Sequence, residues 1–258
     1  MAKLRLDKLL VERGLAQSRE RAQALVLAGR VLVNEQRVDK PGVSVAEDSA
    51  VRMLGEDLRY VSRGGLKLEG ALTAWSISVA RLACADIGAS TGGFTDCLLQ
   101  HGATSVLAVD TGYGQMAHKL RVDPRVTLLE RTNARLLTAG QLVPMSPHPV
   151  RFFAMDVSFI SATLVLPAVL AALVPDGTIW QGEAVILVKP QFEAGREHVG
   201  KGGIVRSAEA QQAALQRVED AVREAKGQVL GVMDSPILGM EGNREFLLWA
   251  RFAAASES

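Results

Sequence analysis

Leu82-Ala83-Cys84-Ala85-Asp86-Ile87-Gly88-Ala89-Ser90-Thr91-Gly92-Gly93-Phe94 is an apolar run that ends in an acid and gives way to a loop of small residues, which opens into a helix read over 94–100. Glycines let backbone amides approach a ligand closely, and the first helical turn adds N–H groups without internal partners. The loop therefore reads as a cradle for an anionic or polar group of a cofactor. Further on, Ser105-Val106-Leu107-Ala108-Val109 reads as a second buried strand ending at Asp110, where a doubly wound fold places a ribose-binding carboxylate. Two acids at adjacent strand ends, Asp86 and Asp110, point to a nucleoside.

Three other readings compete for this loop. It has neither the G-x-G-x-x-G spacing of a pyrophosphate site nor the Lys-Ser/Thr of a P-loop, which argues against dinucleotide and nucleoside triphosphate binding. Gly88-Ala89-Ser90-Thr91-Gly92 matches the G-x-S-x-G nucleophile elbow, and aspartates followed by His198 come later in hydrolase order. A serine hydrolase has no use, however, for two acids at matching strand ends. The plainest reading is a strand-to-helix turn whose glycines serve packing alone.

The 258 residues leave room for one α/β domain and a small module, and a hydrophobic content of 48% supports a real core. The longest apolar run, 162–174, is broken by Pro167 and falls short of the ~18 residues that a membrane span requires. No secretory signal precedes the charged start, so a cytoplasmic protein with no membrane contact is expected. Cys84 and Cys97 fall where buried side chains belong and read as core thiols of a reducing compartment. His101, His118, His148 and His198 are scattered without ligand spacing, so a metal is not indicated. The net charge is only +1, yet residues 1–40 hold nine Lys/Arg against five Asp/Glu, and this basic end is a candidate phosphate contact.

In that basic end, Leu6, Leu9 and Leu10 have helical spacing that stops at Gly14. Ser18 reads as the cap of a second helix with Ala22, Leu25 and Val26 turned inward and Gly29 as its stop. Short strands follow at 31–33, 43–45 and 51–53. Arg5, Lys8, Arg19, Arg21, Arg30 and Arg37 flank these elements. The pattern R-L-D-K-L-L-x-E-R-G-L-x-x-S-R-x-x-A-x-x-L-x-x-A-G-x-V-x-V-N resembles the RNA-binding module of ribosomal protein S4, some pseudouridine synthases and certain rRNA methyltransferases. The resemblance implies arginines presented to an RNA backbone, which position an enzyme without reading sequence. A small docking domain with no RNA role is the other reading of the same elements.

The remainder alternates strands and helices, which argues for a parallel sheet covered on both faces. Strands are read at 82–87, 105–109, 126–129, 151–155 and 184–188, a helix at 208–226, and two final strands at 228–233 and 245–252. The expected division is a module over 1–55, a linker over 56–62 and a large domain over 63–258. The closing hairpin suggests, by analogy, the S-adenosylmethionine-dependent methyltransferase fold: Rossmann-like, seven-stranded and mostly parallel, with an antiparallel last strand. Residues 190–206 read as a long unstructured connection whose glycines and cations suit a lid over RNA.

Taken together, V-S-R-G-G-x-K-L, D-I-G-A-S-T-G-G-F-T, V-D-T-G-Y-G-Q, L-E-R-T-N-A-R, D-V-S-F-I-S, L-V-K-P-Q-F-E and G-N-R-E-F-L-L-W resemble the TlyA family of rRNA 2'-O-methyltransferases, also called hemolysins. The resemblance runs nearly end to end. It implies methylation of cytidine ribose in 16S and/or 23S rRNA, S-adenosylmethionine as cofactor, and ribosomal RNA or subunits as partner. It places a catalytic set on Lys67, Asp156, Lys189 and Glu245. It also implies cofactor contacts at Asp86, Gly88, Ser90, Gly92, Gly93, Phe94, Asp110, Asn133 and Asp156, and adds Arg63 to the RNA-binding residues. A ribose hydroxyl is a very weak acid, so transfer requires removal of its proton together with alignment. Lys189 follows the apolar run Val185-Ile186-Leu187-Val188, where desolvation disfavours its charged form, and takes the role of base. Asp156 would orient that amine, while Lys67 and Glu245 would hold the ribose. Glu241, four residues before Glu245, competes for the last position. A membrane-lysing protein, a hydrolase on Ser90 and a pure RNA-binding factor are the rival functions.

Overall fold

The structure is a computed structural model that describes all residues except 1, 2, 17, 28, 55–58, 240, 241 and 254–258. Glu241 and part of the expected linker thus lie outside the described residues. The chain divides into two units, Met1–Leu58 and Arg59–Ser258.

The first unit runs β1 (Lys3–Arg5), α1 (Leu6–Glu12), α2 (Arg19–Leu27), β2 (Val31–Val33), β3 (Gln36–Arg37), β4 (Ser44–Ala46) and β5 (Val51–Met53). The helical spacing reads through to packing: Leu6, Leu9 and Leu10 are buried against Ala22, Leu25 and Val26. Ser18 Oγ accepts the Arg21 N–H at 3.2 Å, one turn into α2. β2 pairs with β3 and β5, and β1 with β4, all antiparallel. Asp7 is fully buried, and its carboxylate accepts from Arg5 (3.1 and 2.9 Å), Arg19 (3.0 Å) and Gln23 (2.9 Å). The Arg5 hydrogen bond leads in holding this carboxyl well below the usual range, against burial. Arg5 and Arg19, expected to face RNA, therefore spend donors on the fold itself. Arg30 likewise donates to the Leu54 carbonyl at 2.9 Å, whereas Lys8 and Arg37 are exposed.

The second unit comprises α3 (Gly64–Ala74), β6 (Ala83–Ile87), α4 (Gly93–Gln100), β7 (Ser105–Val109), α5 (His118–Arg121), β8 (Val126–Leu129), β9 (Val150–Met155), α6 (Ala162–Ala172), β10 (Gly182–Val188), α7 (Pro190–Glu193), α8 (Ala208–Glu224), β11 (Gly227–Asp234) and β12 (Phe246–Phe252). Among the described residues its sheet has seven strands in the order β11-β12-β10-β9-β6-β7-β8. β6 to β10 are parallel, and β12 lies antiparallel between β10 and β11. The largely apolar central strands make sense because both faces are covered. Ile87, Val109, Met155 and Ile186 pack with α6 and α8, while Cys84, Ala108, Phe152 and Val185 pack with α3 and α4. Both cysteines are free and buried, and burial pushes each thiol up to about 12.

Two expectations change. Residues 190–206 are not unstructured, since they contain α7 and a 3-10 turn, Arg196–His198. Pro190 starts α7, where its missing N–H costs nothing. Residues 59–62, read as linker, belong to the second unit. Tyr60 is buried there beneath α3, filling the space that Gly65 leaves, and a Cβ at Gly65 would overlap its ring.

That contact gives a stability test. Gly65→Ala should lower the unfolding free energy by about 1–3 kcal/mol through overpacking against Tyr60, read from urea unfolding of the whole chain. Unchanged stability would show that the two elements do not meet this closely.

Candidate active site

β6 lies at the centre of the sheet with β7 on one side and β9 on the other, so the connections leaving β6 and β9 depart to opposite faces and leave a crevice at their carboxyl ends. Gly88 makes this closeness possible. Its φ is +90°, and a Cβ there would fall on the Asp156 carbonyl oxygen. The Asp156 N–H in turn donates to the Ile87 carbonyl at 2.8 Å. Above lies a cleft of about 640 Å³ walled by the loop after β6, the start of α3, residues 156–159, 189–192 and the turns before β12.

Two lysine–carboxylate pairs line it. Lys67 Nζ donates to Glu245 Oε2 at 2.5 Å, with both side chains buried. Lys189 Nζ lies 2.6 Å from Asp156 Oδ1 and donates to Ser158 Oγ at 2.7 Å. The antiparallel final strand explains how Glu245 arrives: Val188 is in register with Phe246, so the residue after β10 and the residue before β12 meet at one sheet end. Phe159 is 93% exposed at the rim, its ring 5.3 Å from that of Phe192. Lys189 Nζ stands 5.9 Å from the Phe192 ring.

The structure thus brings Lys67, Asp156, Lys189 and Glu245 together with Gly88, Ser90, Gly93, Phe94 and Arg63 around one space. Gly92, Asp110 and Asn133 do not line it. Asp110 accepts from the Ser90 N–H at 2.8 Å and the Gly112 N–H at 2.6 Å, so it fixes the loop from the side while its remaining lone pairs stay available. Asn133 is exposed and accepts the Arg135 N–H at 3.0 Å, capping the 3-10 turn Ala134–Leu136. Asp86 requires a correction. It does not face the cleft but is fully buried, and its Oδ2 accepts from the Thr95 N–H (2.8 Å) and hydroxyl (2.6 Å) at the start of α4. It supports the loop from beneath. Ser158, Phe159, Phe192 and Asn243 were missed by sequence reasoning, although D-V-S-F and K-P-Q-F carry the first three directly beside the catalytic candidates.

The rival chemistries find little here. The Ser90 hydroxyl contacts Gln115 Oε1 at 3.4 Å, and among the described residues no histidine lines the cleft, so no acyl-transfer triad forms. Among the described residues no helix is long and apolar enough to cross a membrane. A second cavity, of about 450 Å³, lies at the opposite end of β9, where Trp180 Nε1 is already satisfied by the Val150 carbonyl at 2.8 Å. It gathers no comparable set of charged groups.

Residues 60–252 match the family described as FtsJ-like methyltransferase, and residues 4–51 match the S4 domain. YqxC of Bacillus subtilis, provisionally named an rRNA methyltransferase, is 50% identical over 95% of this chain and 85% of its own length. The 16S/23S rRNA (cytidine-2'-O)-methyltransferase TlyA of Mycobacterium tuberculosis is 44% identical over 96% of this chain and 89% of its own. A solved structure from Streptococcus thermophilus, provisionally named a hemolysin, superposes with a TM-score of 0.73 at 43% identity, covering 98% of this chain and 90% of that one.

The buried carboxyl under the loop makes a measurable prediction. Burial pushes Asp86 up to about 7, the Thr95 hydrogen bonds oppose this, and the charges of Asp156 and Asp110 add to it. With its folded value above its unfolded one, the folded state holds the extra proton between about pH 4 and pH 7, so stability falls as pH rises through that window and is level above it. Asp86→Asn should remove this contribution. The unfolding free energy of wild type minus that of the variant should therefore fall from pH 5 to pH 7. A pH-independent difference would show that Asp86 is ionised throughout.

Proposed function

The chain belongs to the FtsJ-like methyltransferase family, is a relative of TlyA and carries an S4 domain, and we propose that it transfers the methyl group of S-adenosylmethionine to the ribose 2'-hydroxyl of cytidine in ribosomal RNA. The observation that carries this reading is the pairing of Lys189 with Asp156 and of Lys67 with Glu245 on the walls of the one cleft that the glycine loop bounds. A ribosomal substrate makes the cytoplasm the place of action.

The residues present fit the cofactor. The backbone at Gly88 is held where no side chain can intrude. The charges of Asp110 and Asp156 reach Asp86 at the base of the loop, so these carboxylates favour a cationic ligand there, with Lys189 offsetting part of the charge of Asp156. When bound, S-adenosylmethionine supplies a methyl group on a positively charged sulfur. Asp110 offers its free lone pairs to a ribose, and the amides of the 88–93 loop receive polar groups. Lys67 and Glu245, locked to each other, present a fixed donor and acceptor to the substrate ribose. Lys189, in its neutral form, accepts the 2'-hydroxyl proton as the oxygen forms its bond to carbon. The exposed face of Phe159 offers a stacking surface to a base at the rim, as single-stranded RNA readers do. Arg63, exposed on the wall of the same cleft, is available to a phosphate.

Lys189→Ala should lower kcat by about a hundredfold or more while leaving cofactor affinity within about twofold, the pattern of a missing proton acceptor. Turnover is read as ribose methylation mapped by mass spectrometry on ribosomal subunits, which also identifies the nucleotide. Unchanged turnover removes the base role, and absence of any methyl transfer by the wild type removes the function. For the S4 unit, Lys8→Ala with Arg37→Ala should weaken RNA binding and reduce the salt slope by about one for each phosphate no longer neutralised. A salt slope equal to that of wild type would take this surface off the RNA.

A further inference from the structure

Lys189 is surrounded unequally. Its ammonium has three donors, and among the described residues it makes a hydrogen bond to one side chain, Ser158, at 2.7 Å. Asp156 Oδ1 is as close, at 2.6 Å, but lies off the hydrogen-bond line and has no hydrogen-bond partner of its own. The carboxylate therefore supplies charge, and the neighbouring hydroxyl supplies direction. Ser158 Oγ engages no other group among the described residues, so its O–H remains free toward the cleft it lines.

The loop that carries Ser158 is fastened at both ends. It begins at Asp156, whose N–H is bonded to Ile87, and turns at Phe159 with φ +64°. It ends where the Ser161 hydroxyl and the Ala162 N–H both donate to the Glu193 carboxylate, at 2.5 and 2.7 Å. Glu193 lies four residues after Lys189, at the end of α7. The segment that carries the hydroxyl and the segment that carries the amine are thereby joined to each other, and the distance between Ser158 and Lys189 does not depend on one loop's own stiffness.

We propose that Ser158 is a positioning residue for methyl transfer: its hydroxyl holds one N–H of Lys189 Nζ, so that the lone pair of the neutral amine is turned away from Ser158 and into the cleft, toward the 2'-hydroxyl. This rests on Lys189 acting as the base. A neutral amine keeps two N–H groups, and fixing one of them leaves its proton-accepting direction little freedom.

The test uses the full chain with ribosomal subunits as substrate and three proteins: wild type, Ser158→Ala and Ser158→Thr. Ser158→Ala should lower kcat on the order of tenfold to a hundredfold, the size of one hydrogen bond to a charged group, with RNA KM and S-adenosylmethionine Kd within about twofold of wild type. Ser158→Thr, which keeps the hydroxyl, should restore most of the rate. Wild-type kcat in Ser158→Ala overturns the inference. So does a rate loss matched by weakened cofactor affinity or a lowered unfolding midpoint, or a Thr variant as slow as the Ala variant. If wild type itself transfers no methyl, the proposed function fails and this inference falls with it; active wild type with an equally active Ala variant sinks this inference alone.

Discussion

Gly88 resting against the Asp156 carbonyl is the contact on which the site depends. It lets the ends of two adjacent parallel strands, β6 and β9, touch where their connections part to opposite faces of the sheet. Any side chain at that position would push the glycine loop away from the strand that presents Asp156. The other catalytic candidates then follow from strand order. β10 is the neighbour of β9 and delivers Lys189 beside Asp156. β12 runs the other way, so its beginning rather than its end faces the cleft, and Glu245 is the residue just before it. A parallel last strand would have delivered its first residue to the far end of the sheet.

Charge follows the same geometry. Three aspartates, 86, 110 and 156, sit at or beside the ends of central strands, and their mutual repulsion is part of why Asp86 is held up near 7. A fully buried carboxyl with an unpartnered oxygen is costly to keep. Its two bonds to the start of α4 show what it contributes to the fold, since they fix the direction in which the helix leaves the loop. A cation above the loop would relieve the repulsion among the three carboxylates, so cofactor binding and the ionisation of Asp86 are linked by the same field.

Much of this is legible in the chain. The runs at 105–109 and 126–129 are strands over those residues, the first buried throughout and the second half-buried at the edge of the sheet. Glycine punctuation located the cleft, and the resemblance supplied Lys67, Asp156, Lys189 and Glu245, whose motifs stand far apart in sequence. β3 left no pattern because two residues are too short to show a period. Asp86 was misread as facing the ligand because a carboxyl at a strand end points either into the cleft or under it, and only the position of Thr95 decides. Arg5 and Arg19 read as free cations because nothing in local sequence reveals that Asp7 is buried between them. Ser158 was passed over for a similar reason, since a serine in a loop is common and its meaning comes from an amine thirty-one residues away.

The two lysines of the cleft differ in their surroundings. Lys67 is hydrogen-bonded to Glu245, whose side chain is 2% exposed. Removing the charge from Lys67 would leave that buried carboxylate without a counter-charge, the costly outcome for a buried pair. Asp156 is 21% exposed as a side chain, but the Oδ1 that faces Lys189 is buried, so water reaches this carboxylate only from its other side. The hydrogen bond of Lys189 goes instead to a hydroxyl, which can accept from an ammonium or an amine alike. Lys189 thus spends its hydrogen bond on a neutral hydroxyl and Lys67 on a buried carboxylate, a difference in keeping with the proposed roles of Lys189 as proton acceptor and of the Lys67–Glu245 pair as a fixed frame for the ribose.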